Sequence, residues 1–348
     1  MSAIIALGIL HAQCLFAQTP ITLENGKLKL QWTNSRQGYR LQLISLKEGK
    51  KQIALNHPLG EYTVLYTAEK PNDQPLLNLV GEKARLFPDT IYDHIYDNWK
   101  VALSAVPLNV AGEAKYFFPS SAKSEGKKLL FTKENGEFML SAKWFLDPKY
   151  PQDIQVEILL KAKKSGYFAI STPTLATFLP AELNWGIIPG YFQGNKLAED
   201  LVSAYAYGHG IPNRPVLVRE RAASTLSPII TNNQGISLAV IPAPGQGRDP
   251  WELDKNTQKV WQLGLALMNR QGKLTPEIYH PVLGEKGSYL KKEESCTFNF
   301  RYSLTVSDWY QPYQHAVNDI YKFKDVLALK NTKQSLSDRI FAMTKYLK

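Results

Sequence analysis

Cysteine is nearly missing from this chain: Cys14 and Cys296 are the only two in 348 residues, and Cys14 lies inside an apolar leader-like segment. A disulfide framework and a cysteine-built metal cage are thereby excluded, so burial has to hold the fold together. Histidine is scarce as well. His11, His57, His94, His209, His280 and His315 include no HxH or HExxH pair, which argues against a dedicated transition-metal site. Asp89, Asp93 and Asp97 lack the regular ligand spacing of a calcium loop and read as solvated surface. No apolar run reaches the ~20 residues that span a bilayer. There is no GxSxG elbow. Gly245-Gln246-Gly247 is followed neither by the last glycine of a dinucleotide fingerprint nor by a P-loop ending. No cofactor is expected.

The formal charge of +10, from 41 basic against 31 acidic residues, comes without a basic helix or an RNA-stacking motif, so no nucleic-acid partner is expected. Half of the excess sits in residues 321–348, where seven basic side chains face two acidic ones. The remainder is scattered among strand-like segments and mildly favours an acidic glycan over a neutral one.

Residues 1–18 read as a secretory signal: an apolar run over residues 3–10 precedes small residues around Ala17, although no Lys or Arg comes before the run. Secreted or periplasmic localisation in a bacterium is the expectation. Residues 19–308 then form a long succession of period-two segments. Leu28, Leu30 and Trp32 alternate with polar neighbours, as do Tyr39, Leu41 and Leu43, then Ile154, Val156, Ile158 and Leu160, then Phe298, Phe300, Tyr302 and Leu304. Asn25-Gly26 and Asn135-Gly136 sit between such runs as hairpin turns. The pattern predicts a mainly β fold, a large antiparallel β-supersandwich. From Trp309 the period changes: Tyr313, Ala316, Val317, Ile320 and Tyr321 make a helical stripe entered just after Pro312. Residues 330–334 read as a linker, and Ser335 or Ser337 can cap a second helix carrying Ile340, Met343 and Leu347 on one face. Residues 309–348 are thus expected to be a helical linker and the start of a truncated helical domain whose remainder lies beyond this chain.

Between the flanking alternations, the middle third is rich in Gly, Pro, aromatics and paired charges, residues that present flat faces and forked hydrogen bonds rather than build a core. Trp185, Tyr191, His209, Arg219, Arg221, Arg248, Asp249 and Trp251 are the candidate substrate-binding side chains. Arg219-Glu220-Arg221 can place two guanidinium forks about a carboxylate, suited to a uronate. Strand alternation would instead put the two arginines on one face and Glu220 on the other, an inter-strand ion pair, and this is the plainer reading. Gly247-Arg248-Asp249-Pro250-Trp251 offers a donor fork, an acceptor and a stacking face within one sugar's reach, or equally a tight turn with Trp251 in the core.

The layout of signal, sandwich, helical linker and opening helical domain resembles that of exported bacterial six-hairpin glycosidases, in which a β-supersandwich precedes an (α/α)6 toroid. The motifs that carry the resemblance are Trp185-Gly186-Ile187-Ile188-Pro189-Gly190, Arg219-Glu220-Arg221-Ala222-Ala223-Ser224-Thr225, Gly247-Arg248-Asp249-Pro250-Trp251 and Tyr279-His280-Pro281-Val282-Leu283-Gly284. The resemblance implies a glycoside hydrolase that degrades polysaccharide through two carboxylates flanking an oxocarbenium-like transition state. It also implies that those carboxylates sit on toroid loops outside this chain, leaving the catalytic residues unassigned here. Two other readings stay open: a stand-alone, non-catalytic glycan-binding sandwich, and a mutarotase-like sandwich in which His209 and Glu220 shuttle protons at a sugar C1.

Overall fold

The period-two segments become strands that turn their apolar side inward. The computed structural model describes residues 20–70, 105–107, 113–195, 216–220, 223–247, 262–285, 287–325 and 335–347. It is 56 % strand in three antiparallel sheets, with helices toward the C-terminus, as the mainly β reading expects. A four-stranded meander comes first: β1 (Ile21–Glu24), β2 (Leu28–Ser35), β3 (Gly38–Glu48) and β4 (Lys51–Ala54). Both expected Asn-Gly turns are present. Each is closed by its asparagine side chain: Asn25 Oδ1 accepts the Lys27 and Leu28 amides at 2.7 Å, and Asn135 Oδ1 those of Glu137 at 2.9 Å and Phe138 at 2.8 Å.

The next strands are β5 (Pro58–Thr67), β6 (Ala105–Pro107), β7 (Glu113–Phe117), β8 (Ser121–Glu125), β9 (Lys128–Glu134), β10 (Phe138–Leu146) and β11 (Asp153–Ala162). Then come β12 (Gly166–Ser171), β13 (Thr174–Ala176), β14 (Leu183–Ile188), β15 (Phe192–Gly194), β16 (Val216–Arg219), β17 (Ile229–Asn232) and β18 (Ile236–Pro242). The last four are β19 (Gly264–Met268), β20 (Leu274–His280), β21 (Tyr289–Leu290) and β22 (Ser295–Val306). The second sheet runs β15-β14-β17-β18-β22-β11-β10-β9-β8, and the third runs β13-β5-β12-β20-β19-β16-β6 with β7 and β21 paired at its side.

One core joins the three sheets. Ile154, Val156, Ile158 and Leu160 of β11 and Phe298, Phe300, Tyr302 and Leu304 of β22 face Val64, Phe168, Ile170, Leu265 and Ile278 of the third sheet. Its densest part is aromatic: Trp144 stacks on Tyr302 at 5.7 Å, meets Trp32 edge-on at 5.6 Å, and donates its indole N–H to the Tyr62 hydroxyl at 2.7 Å. The meander closes this end, where Gly60 (φ +71°) lies so near that a Cβ would stand 2.9 Å from Leu41 Cβ.

One alternation breaks. Leu41 is buried as expected, but the buried positions after it are Ile44 and Leu46 rather than Leu43. The cause is a bulge: Gln31 pairs with Leu43 while Trp32 pairs with Leu41, so Gln42 is extra and inverts the phase of β3 beyond it.

The first helix, α1 (Tyr310–His315), starts before Pro312 rather than after it and continues as a π turn over Ala316–Ile320. Ala316 and Ile320 pack with Ile187, Ile229, Ala239 and Ile241 on the outer side of the second sheet. A polar clamp completes this docking. His315 Nε2 lies 2.9 Å from Asp153 Oδ2 on β11, and Nδ1 lies 2.8 Å from Asp319 Oδ2. Arg301 Nη1 donates to the same Asp153 oxygen at 2.9 Å and to Asp147 Oδ2 at 3.0 Å. An imidazole flanked by two carboxylates satisfies both only with a proton on each nitrogen, so His315 is held as the cation. Burial opposes that charge, but the hydrogen bonds and charges of Asp153 and Asp319 outweigh it and raise the pKa. The second helix, α2 (Leu336–Leu347), is capped by Ser335, whose Oγ accepts the Asp338 amide at 3.1 Å. Ile340 and Met343 are exposed on it. The expected linker, residues 330–334, lies outside the described residues, as does the expected signal segment.

Candidate functional site

The third sheet has two unlike faces. Along β5, β12 and β20, Tyr62, Val64, Phe168, Ile170 and Ile278 point into the core. Their alternates, Glu61, Thr63, Ser171, Thr275, Glu277 and Tyr279, therefore lie on the opposite face. Polar alternates on a two-layer sandwich usually meet water. Here Thr63, Ser171, Thr275, Glu277 and Tyr279 are all buried. The same face carries a second apolar cluster, Leu65, Ala169, Leu217, Ala266, Val282 and Leu283 with Tyr279, and the buried polar groups beside it are the feature that most resembles a built site.

Glu277 is its centre. No surface of this residue is exposed; Thr174 Oγ1 donates to Oε1 at 2.8 Å and the Tyr279 hydroxyl donates to Oε2 at 2.9 Å. Asn269 Nδ2 stands behind Thr174 at 3.5 Å, while its Oδ1 accepts the Gln271 and Lys273 amides and so shapes the β19–β20 turn. Burial raises the Glu277 pKa to about 8, the two hydrogen bonds opposing it and the charge of Glu61 adding to it. At neutral pH the carboxyl keeps its proton.

Glu61 is the partner carboxyl. It shares the face with Glu277 and pairs in register with Thr174, two strands from β20, or about 10 Å between strand axes. Gln271 Nε2 donates to it at 3.2 Å, and burial raises its pKa against the charges of Lys273 and Arg40. Tyr116 on β7 aligns with Thr63 and leaves 40 % of its surface exposed, offering an aromatic face. Its hydroxyl is raised chiefly by burial, with Arg270 lowering it and Glu61 and Glu277 raising it. Arg270, half-buried in the β19–β20 turn, feels both Tyr279 and Tyr116. Two carboxyls, the guanidinium of Arg270 and two phenols, one of them the exposed ring of Tyr116, thus act on one another across this face. This arrangement can donate and accept protons and grip hydroxyl or carboxylate oxygens.

Of the residues chosen from sequence, Trp185 and Tyr191 are described with their side chains, and Arg219 by its backbone position. Trp185 shares a face of β14 with Ile187, which packs on the outer side of the second sheet beside α1, across the sandwich from Glu277. Tyr191, in the β14–β15 turn, packs against the main core, and burial raises its hydroxyl. Arg219 ends β16 opposite Gly264. His209, Arg221, Arg248, Asp249 and Trp251 lie outside the described residues, as do Asp89, Asp93 and Asp97. Glu220 is buried, and its two oxygens accept the Gln262 and Leu263 amides at 3.1 Å, pinning two chain segments together. His280 is half-buried against Phe298 at 5.0 Å, and burial pushes its pKa down to about 4, a hydrogen bond with the Gln262 backbone opposing this. Of the motifs read from sequence, the one opening at Tyr279 contributes a described side chain to the cluster. The signal that could have found the rest is the alternation Thr275, Glu277, Tyr279 in β20, which taken alone reads as a solvated face. Among the described residues no three metal-ligating side chains gather, and no helix is long and apolar enough to cross a membrane.

Comparison with known proteins gives no family. No protein-family model and no curated protein matches the chain. Solved structures do. An α-N-acetylgalactosaminidase, NagBb from Bifidobacterium bifidum, in complex with GalNAc, is 10 % identical with a TM-score of 0.41, over 86 % of this chain and 38 % of that one. A galactose mutarotase related enzyme from Lactobacillus acidophilus is 9 % identical with a TM-score of 0.37, over 83 % of this chain and 99 % of that one. A GalM/aldose epimerase homologue from C. elegans is 9 % identical with a TM-score of 0.39, over 83 % and 99 %. The chain spans about two-fifths of the length of the galactosaminidase.

Proposed function

We propose that this chain is the sugar-binding sandwich of an exported carbohydrate-active protein, of the six-hairpin glycosidase type, and that the sugar lies on the outer face of the third sheet. The observation that supports this reading is the buried cluster of Glu277, Tyr279 and Thr174 behind the more accessible Glu61, Tyr116 and Arg270. A pyranose asks for that combination: an aromatic face for its C–H side and forked donors and acceptors for its hydroxyls. Binding of oligosaccharides to the intact chain tests it by calorimetry. Tyr116→Ala, at a 40 % exposed position, should weaken binding about tenfold or more without loss of fold. A panel of neutral and acidic oligosaccharides that all fail to bind removes the reading.

A further inference from the structure

On the outer side of the second sheet, across the sandwich from Glu277, the chain leaves β22 and turns into α1 through Ser307-Asp308-Trp309-Tyr310-Gln311-Pro312-Tyr313-Gln314. Three aromatic rings meet within this short segment. The centroids of Trp309 and Tyr310 are 5.6 Å apart, those of Trp309 and Tyr313 6.1 Å, and those of Tyr310 and Tyr313 6.2 Å. The two phenol planes lie within 29° of parallel, and the indole stands across them at 80° and 58°. Near-parallel faces with a third ring set across them make a floor and a wall, and 46 % of Tyr310 is open to solvent.

The patch is fixed from beneath. Trp309 and Tyr313 pack against the cluster of Ile187, Ile229, Ala239 and Ile241, and Pro312 between them is buried. The approach to the helix is ordered as well: the Ser237 hydroxyl donates to the Ser307 carbonyl at 2.9 Å, the Thr305 and Ser307 hydroxyls are 2.7 Å apart, and Asp308 Oδ1 accepts the Tyr310 amide at 3.1 Å. His315, gripped by Asp153 and Asp319, secures the other end of α1. Rings that are ordered before a ligand arrives lose little conformational freedom when it binds.

The surroundings of the rings select the ligand. Gln314, four residues on from Tyr310, shares its helix face and is exposed. Its neutral amide carries both donors and acceptors, as hydroxyl recognition requires. Asp308 is the only charged residue from Ser307 to Gln314, so an uncharged ligand meets less opposition here than an acidic one. Surfaces that receive proteins add Met and Arg to their aromatics; this segment holds neither, and it lacks the exposed Ile340 and Met343 that mark α2. Flat apolar faces bordered by an amide match a pyranose, which has an apolar C–H side and a rim of hydroxyls.

We propose that Trp309, Tyr310 and Tyr313 form a second glycan-binding surface, separate from the face about Glu277, which takes a neutral saccharide unit on the Tyr310 ring with Gln314 meeting its hydroxyls. The two surfaces share no residue, so each can bind or fail without the other.

Affinity electrophoresis of the intact chain through gels containing barley β-glucan, xyloglucan, galactomannan or pullulan, all uncharged polymers, tests this. At least one polymer should retard the wild type, and Tyr310→Ala should raise the Kd for it about tenfold or more with the urea midpoint unchanged. Gln314→Ala, at an exposed position that carries no packing, should raise it about three- to tenfold and serves as the readout if the Tyr310 variant loosens α1. Tyr116→Ala reads the third sheet in the same gels. Retardation that Tyr116→Ala abolishes, while Tyr310→Ala and Gln314→Ala leave it intact, overturns the second surface and leaves the carbohydrate reading of the third sheet standing. Passage unretarded through all four polymers overturns it as well, and the third sheet is then judged by its own calorimetry. Self-association that sedimentation detects and Tyr310→Ala abolishes, without any retardation, makes the patch a protein contact and overturns the glycan assignment.

Discussion

His315 offers the sharpest test of how the helical arm is held to the sandwich. Its ring is 8 % exposed and bridges fully buried Asp153 and half-exposed Asp319 at 2.9 and 2.8 Å. His315→Ala removes a buried charge-assisted hydrogen bond, worth about 1.5–3 kcal/mol. It also removes a half-exposed i,i+4 contact worth about 0.3–0.5 kcal/mol. The ring's edge contact with Tyr150, at 4.8 Å, is lost as well and is worth about 0.5–1.5 kcal/mol. Because Asp153 keeps Arg301, the total stays below the cost of stranding a buried charge, and about 2–4 kcal/mol is expected. The pH dependence carries more information. The folded-state pKa is raised above the ordinary 6.5, so the ionic share of this stability is fully present below about pH 6.5 and is lost as pH rises through the folded value. Urea unfolding of wild type and variant at pH 5.5 and pH 9 should show the larger gap at pH 5.5. Asp147 does not confuse the comparison. Burial opposes its charge, but backbone amides, Gln155 and Arg301 hold its pKa down, so its contribution fades only well below that range. A gap that is equal at both pH values, or larger at pH 9, would refute the doubly protonated clamp.

Other perturbations probe the remaining features. Glu277→Gln should be increasingly stabilising relative to wild type from about pH 4.5 to about pH 8. The raised carboxyl favours folding at low pH and loses that advantage as pH climbs toward its folded value, by up to a few kcal/mol, visible in the pH dependence of the thermal midpoint. Gly60→Ala should cost about 1–3 kcal/mol, because a Cβ at φ +71° meets Leu41 Cβ at 2.9 Å in the aromatic core; an unchanged denaturation midpoint contradicts this. Glu220→Ala strands the amides of Gln262 and Leu263 and should cost about 2 kcal/mol or more, read by chemical denaturation, with hydrogen exchange accelerated first at those two amides.

Much of the architecture was legible because one side of each long strand is uniformly apolar. Ile154 to Leu160 and Phe298 to Leu304 are buried where their alternation puts them, and Asn25 and Asn135 turn the chain where expected. The phase error at Leu43 arose from a bulge, which depends on the partner strand and leaves no local mark. The candidate site was harder to see for a related reason. Glu277 and Tyr279 alternate like any wet strand face, and whether such a face is wet depends on layers distant in sequence. The aromatic and glycine-rich middle third drew notice because composition is visible locally; of its described aromatics, Tyr191 packs against the main core. His315 showed nothing but a lone histidine until β11 placed Asp153 against it.

The cluster about Glu277 draws its members from Glu61, Tyr116, Thr174, Arg270 and Tyr279, so more than two hundred residues of chain separate its first member from its last. Such contacts carry a high loop-closure entropy and close late, after the third sheet has gathered strands from across the chain. No proteolytic fragment confined to one hairpin can carry the cluster, and during biosynthesis it assembles only once β20 has emerged and docked. Any ligand of this face would therefore meet a chain in which β5, β7 and β20 have already come together.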